Sequence, residues 1–277
     1  MHSTKQVEIS KKHKASSAIF VNFPHSGLNI PSDIEITMHK DVVDQRPDTD
    51  WDLPSIYRPI LEGKYPSQEA LMHRYVVDLN RDPSGKSLYN DSRYISAIVP
   101  AKTFSEKDIY PTPPTQPQVE ARVKKYFWSY HQELTENLKT NRTKLMIDAH
   151  SISRNVPSLF KGDLPDIILG NGGDLETAPI AWLEAGATAL KKHGFSVAIN
   201  EPFRGGWITR SYPTRIESLK TIQIEMCNDL YLQNPAGPQI SKDANPLKSK
   251  GNWDKVKVSK LRRGLESLLL VWSELAI

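Results

Sequence analysis

A single cysteine, Cys227, stands in a chain of 277 residues. No internal disulfide can form and no cysteine cage for a metal can be built, so any metal must be held by His, Asp or Glu; the scarcity also fits a reducing cytoplasm. No apolar run is long enough to span a membrane. The first residues, MHSTKQVEISKKHKASSAIF, turn apolar only near Ile19, too late and too briefly for a secretory leader. A cytoplasmic protein without a membrane partner is expected. The contexts that announce serine-nucleophile and phosphate chemistry are also missing: there is no G-x-S-x-G elbow, no Walker loop and no dinucleotide fingerprint. Gly/Ser linkers, repeats and low-complexity tracts are absent, which assigns residues 1–277 to one α/β domain with residues 1–16 as a flexible basic tail.

What is present is ordinary globular material, 38% hydrophobic and 25% charged with a net charge of +4. A lysine-rich stretch over residues 242–263 raises the question of nucleic acid. Acidic residues and prolines interrupt it and aromatic interleaving is sparse, so it reads as a solvated loop and helix face. No nucleic-acid partner is expected.

Apolar, β-branched runs at residues 18–23 (AIFVNF), 75–79 (YVVDL), 144–147, 167–169, 195–199 and 221–226 (TIQIEM) predict strands. Helical patterns fall at 117–138, 176–193 and 256–274. This alternation predicts a mainly parallel or mixed central sheet flanked by helices. Three long loops, 24–51, 80–117 and 202–218, carry Pro, Asp and Gly, and loops of that length are commonly functional. In open α/β sheets ligands bind beyond the carboxyl ends of the strands, where the unusual polar residues of this chain fall.

His25 follows the first strand in Pro24-His25-Ser26-Gly27, and His150 closes Asp148-Ala149-His150 after a buried strand. Two imidazoles at one sheet edge suit zinc, which in catalytic sites takes three protein ligands and keeps a position open. Candidates for the third lie in Pro47-Asp48-Thr49-Asp50-Trp51-Asp52, although Asp50 or Asp52 would serve equally as the N-cap of a helix over 53–61. Glu225 interrupts the apolar strand TIQIEM. A buried carboxylate is costly unless paired or used, and burial beside a metal tunes it as a general base. Arg74, Arg81 and Arg210 share the same predicted edge, and guanidinium forks bind carboxylates, which points to a small anionic substrate. Gly205 and Gly206 permit close approach of backbone to a ligand, or a swinging lid. Ser26 and Ser151 read as hydrogen-bond partners behind the histidines.

Together these blocks resemble the N-formylglutamate amidohydrolases, a family related in fold to zinc carboxypeptidases and aspartoacylases. The resemblance rests on Pro24-His25-Ser26-Gly27, Asp48-Thr49-Asp50-Trp51, residues 74–81 (RYVVDLNR), Asp148-Ala149-His150-Ser151, residues 200–210 (NEPFRGGWITR) and Gln223-Ile224-Glu225, in the family's order. It implies one zinc per chain, or another divalent ion, on His25, Asp50 and His150. It implies Glu225 as base, Arg74 or Arg81 stabilising the developing charge, and a substrate site of Asn80, Arg81, Ser151, Gly206 and Arg210, with Arg210 on the substrate carboxylates. The implied activity is hydrolysis of N-formyl-L-glutamate in histidine degradation. The chain departs from the family at Ile98-Val99-Pro100, where a Cys-Pro is expected, and at Pro213, both in substrate-loop regions. A zinc hydrolase of another acyl amino acid or peptide, and a non-catalytic binder of an acidic metabolite, are the competing readings.

Overall fold

The computed structural model describes residues 7–9, 17–86, 97–234 and 253–276. Its centre is a seven-stranded mixed sheet in the order β1-β3-β2-β4-β7-β5-β6. The strands are β1 (Val7–Ile9), β2 (Ile19–Phe23), β3 (Ser67–Ala70), β4 (Leu145–Ile152), β5 (Ile167–Gly170), β6 (Val197–Ile199) and β7 (Lys220–Cys227). β3, β2, β4 and β7 are mutually parallel, so their carboxyl ends share one edge. β5 runs antiparallel to β7 and parallel to β6. Val7–Ile9, inside the stretch expected to be a flexible tail, pair antiparallel with β3; the rest of residues 1–16 lies outside the described residues.

Period-two alternation sorts each central strand between two layers. Ile19, Val21 and Phe23 of β2, Leu145, Ile147 and Ala149 of β4, and Ile222, Ile224 and Met226 of β7 all enter one core. Three helices cover that face: α3 (Leu53–Leu61), α6 (Ile180–Lys191) and α8 (Lys255–Leu275). α8 is the longest, starts on Asp254, whose carboxylate accepts from the Val256 and Lys257 amides, and buries Leu261, Leu265, Leu268, Leu269 and Trp272. Residues 235–252, which hold much of the lysine-rich stretch, lie outside the described residues. Its helical part exposes Lys255, Lys257, Lys260 and Arg263, and Arg262 ties α8 to the Ile56 carbonyl of α3.

The opposite face packs beneath α4 (Gln116–Arg122), a π turn over Val123–Phe127, α5 (Trp128–Thr140) and α7 (Trp207–Ser211). Two short helices, α1 (Ser32–Glu35) and α2 (Lys40–Gln45), lie within the first long loop. None of the described helices is long and apolar enough to cross a membrane.

Two strand expectations need correction. Residues 75–79 form no strand; they are a buried turn, with Tyr75, Val76, Val77 and Leu79 all in the second core. An apolar run reports burial, and here the buried backbone is satisfied through the Ile98 carbonyl, which accepts from the Asp78 amide, and the Tyr110 hydroxyl, which donates to the Tyr75 carbonyl. The strand that flanks β2 on the side away from β4 is the polar Ser67–Ala70, whose Gln68 is buried against α5, donating to the Tyr130 carbonyl and accepting from Asn137.

Candidate active site

At the shared edge, β2 runs out into Pro24-His25, and Gly27 then crosses so close to the 71–72 backbone that a Cβ would lie 2.3 Å from the Met72 carbonyl oxygen. Only glycine permits that approach, which brings the His25 loop against the segment carrying Arg74 and Asp78. His150 and Glu225 are direct neighbours in the parallel β4–β7 register. The loop carboxylate folds back to them because the Asp50 amide donates to the His25 carbonyl at 3.1 Å. His25, Asp50 and His150 thereby place ligand atoms within 4.8 Å of one another, all three buried.

The arrangement distinguishes the two acidic candidates. Asp48 accepts from the Tyr75 hydroxyl at 2.7 Å and the Phe104 amide at 2.9 Å, directed away from the histidines. Asp50 Oδ2 sits 3.3 Å from His150 Nδ1 and is buried without a hydrogen-bond partner. Asp52 occupies the residue before α3 but makes no capping bond; its carboxylate instead accepts from Trp253 Nε1 at 3.2 Å.

Each histidine is oriented by a buried carboxylate that the sequence reading did not single out. Asp78 Oδ1 lies 2.7 Å from His25 Nε2, and Asp148 Oδ2 lies 3.1 Å from His150 Nε2, which leaves both Nδ1 atoms for the space beside Asp50. Asp148 and His150, two apart on a strand, necessarily share a face. No such local signal joins Asp78 to His25, 53 residues away. Asp78 also takes Arg74 Nη2 at 2.7 Å and lies 3.9 Å from Arg81 Nε. Burial alone raises the Asp78 carboxyl, but Arg74, Arg81 and His25 outweigh it and hold it well below the usual range. Burial and the Arg74 charge together depress His25. For His150, burial pulls down while Asp148 and Asp50 prevail and raise it well above an ordinary imidazole.

Glu225 is one of only two β7 residues with solvent access, and its partial burial pushes the carboxyl up to about 8. Arg74 is buried under the Phe104 ring, 4.7 Å from its centroid, and donates to the Asp48 carbonyl as well as to Asp78. Ser151 accepts from the Tyr231 hydroxyl at 2.8 Å, while Ser26 donates to the Phe23 carbonyl, so the hydrogen bonds of both run to groups other than the two imidazoles. Arg81 keeps about a fifth of its side chain exposed, and Arg210 donates from Nε to the Gly205 carbonyl at 2.8 Å. Asn80 is buried and turned inward. A separate hollow of about 600 Å³, lined by Leu159, Phe160, Asp174, Asn200, Glu201 and Arg204 among others, includes none of the two histidines, Asp50 or Glu225.

The donor set suits a divalent metal: two neutral-capable imidazoles with their far nitrogens fixed, one carboxylate oxygen without a hydrogen bond that faces His150, and an adjacent half-buried glutamate. The chain is 30% identical over 227 residues to an N-formylglutamate deformylase of Pseudomonas aeruginosa, covering 79% of this chain and 83% of that one. It is 26% identical to a second, from Pseudomonas putida, over 80% and 84% of the two chains. The crystal structure of an N-formylglutamate amidohydrolase from Ralstonia eutropha JMP134 shares the fold with a TM-score of 0.75 at 17% identity, over 98% of this chain and 99% of that one. The family model for N-formylglutamate amidohydrolase matches residues 17–232, and the chain belongs to that family.

Proposed function

We propose that the protein hydrolyses N-formyl-L-glutamate to formate and glutamate, with His25, Asp50 and His150 holding one divalent ion, zinc by the nature of its donors. The observation that supports this most directly is the convergence of buried Asp50 Oδ2, which meets only the His150 imidazole, with the two histidines next to Glu225. When bound, such an ion acidifies water and polarises a carbonyl as a Lewis acid.

The chain's own groups supply the rest. Glu225 accepts the proton of the attacking water and returns it to the departing amide nitrogen, so that R–NH–CHO and water become R–NH₃⁺ and formate. Its raised pKa suits holding the proton once taken up, and beside a bound cation the same carboxyl would titrate lower and be ionised to accept it. Arg74, locked by Asp78, the Asp48 carbonyl and the Phe104 ring, presents a fixed positive charge to the developing oxyanion. Arg81 and Arg210 bind the substrate carboxylates, with Gly206 and Ser151 lining the site.

The test is metal content of the purified protein together with formate release from N-formyl-L-glutamate, before and after chelation and zinc restoration. About one zinc per chain with chelator-sensitive release is expected. Metal without formate release transfers the activity to another acyl amino acid; neither metal nor turnover rejects the hydrolase reading.

A further inference from the structure

Asn80 directly precedes Arg81, which the proposed function assigns to substrate, yet its amide is consumed inside the protein. Its side chain is buried, 3% of the residue being exposed. Oδ1 accepts from the Ile208 amide in the first turn of α7 at 2.8 Å, which fixes the amide's orientation because a backbone N–H can only donate. Nδ2 therefore points the other way, where it donates to Asp148 Oδ2 at 3.1 Å and lies 3.0 Å from His150 Nε2, the nitrogen that the same Asp148 oxygen faces. The remaining bonds of Asp148 come from Asn22 Nδ2 at 3.1 Å and Thr209 Oγ1 at 3.3 Å, and Asn22 in turn accepts from the Tyr130 hydroxyl. The backbone on either side of Asn80 is pinned as well. The Leu79 carbonyl lies 3.0 Å from His131 Nε2, and the Asn80 amide donates to Asp78 Oδ1.

Gly206 completes the enclosure. A Cβ there would stand 2.5 Å from Cγ, Nδ2 and Oδ1 of Asn80 alike. The Gly206 backbone itself, at φ −81°, is open to any residue, so the glycine is required by Asn80 and not by the turn.

We infer that Asn80 is a positioning residue that couples the glycine-rich loop to the candidate metal site through Asp148 and His150, and that it does not bind substrate. The inference rests on the metal-site reading above. The contacts run from Gly206 and Ile208 to Asn80, and from Asn80 Nδ2 to both Asp148 and His150; Ile208, Asn80, Asp148 and His150 are all buried. By fixing Asp148 and standing against His150 Nε2, Asn80 sets the ring of His150 so that Nδ1 faces Asp50.

The experiment compares wild type with Asn80→Ala, Gly206→Ala and the double variant. Metal affinity is read by chelator competition on the reloaded protein, and kcat and KM from formate release. Each single variant is expected to bind zinc about 10-fold or more weakly, with a fall in kcat and less than a twofold change in KM. The double variant is expected to be no worse than Asn80→Ala, because removing the amide makes room for the added methyl. A KM rise of tenfold or more with unchanged zinc affinity makes Asn80 a substrate contact and overturns the inference, as does strict additivity of the two substitutions. Thr209→Val, which removes another donor to Asp148, provides the same readout if Asn80→Ala does not fold, and unchanged zinc affinity there counts against the inference. If wild type binds zinc but releases no formate, the proposed substrate falls and the inference is decided by metal affinity alone. If wild type binds no metal, both fall.

Discussion

The two faces of β4 and β7 are built from alternate residues of the same strands and do opposite work. Leu145, Ile147, Ala149, Ile222, Ile224 and Met226 point into an apolar core closed by α3, α6 and α8. Their immediate neighbours Asp148, His150, Thr221, Gln223 and Glu225 line a polar layer beneath α5 and α7. The first face is held by burial of area and tolerates variation of shape within its volume. The second is stable only because its polar atoms are paired: Asp148 with four groups, Thr221 with the Thr209 carbonyl, Gln223 with the Gly206 amide. The candidate site sits at the rim of that network, where Asp50 Oδ2 meets His150 without a hydrogen bond and Glu225 is half-buried.

The comparison can be broken at adjacent positions. Glu225→Gln is expected to reduce turnover by about 10²–10⁴-fold while leaving metal content intact; formate release and elemental analysis check it, and a variant of equal activity removes Glu225 from the mechanism. Ile224→Ala, one residue away on the other face, is expected to lower stability by about 2–5 kcal/mol with turnover per folded molecule nearly unchanged. Urea unfolding beside kinetics decides this, and a large loss of turnover in the folded variant denies that the faces are separable.

A pH experiment sharpens the contrast. The Glu225 carboxyl is raised on folding from about 4.3 to about 8. The folded state therefore holds its proton over that window while the unfolded chain has lost it, so this residue's contribution is fully present below the unfolded value and declines as pH rises toward the folded one. In metal-free protein, the urea midpoint of Glu225→Gln is expected to gain on wild type between pH 5 and 8.5. A constant gap would mean that the carboxylate is compensated in the folded state. The smallest effect is expected at Cys227, two residues further on, whose thiol donates to the Pro165 carbonyl and is pushed up to about 12 by burial. An aromatic disulfide reagent at pH 8 is expected to leave it untouched in the native protein and to titrate one thiol after denaturation.

How far the site was legible follows from these same residues. His25, His150 and Glu225 stand at strand ends, and a sequence pattern can place strand ends along a sheet edge. The description of Glu225 as a break in an apolar strand needs refinement: TIQIEM alternates, and Thr221, Gln223 and Glu225 form one continuous polar face. Residues 75–79 carry the apolar pattern of a strand without forming one, because the turn there is buried by the loop at Ile98 and by Tyr110. The strand at Ser67–Ala70 was missed because its glutamine and glutamate carry no hydrophobic signal, although Gln68 is fully buried.

The sequence by itself determined the alternation of strands and helices, the exclusion of cysteine ligands, and the supply of imidazoles and carboxylates near one edge. Those are local properties, set by periodicity and residue chemistry. Only the tertiary structure decided between Asp48 and Asp50, brought Asp78 to His25, and turned Asn80 inward onto Asp148. Each of these contacts joins segments tens of residues apart, and each depends on a loop path and a strand register that no local pattern encodes.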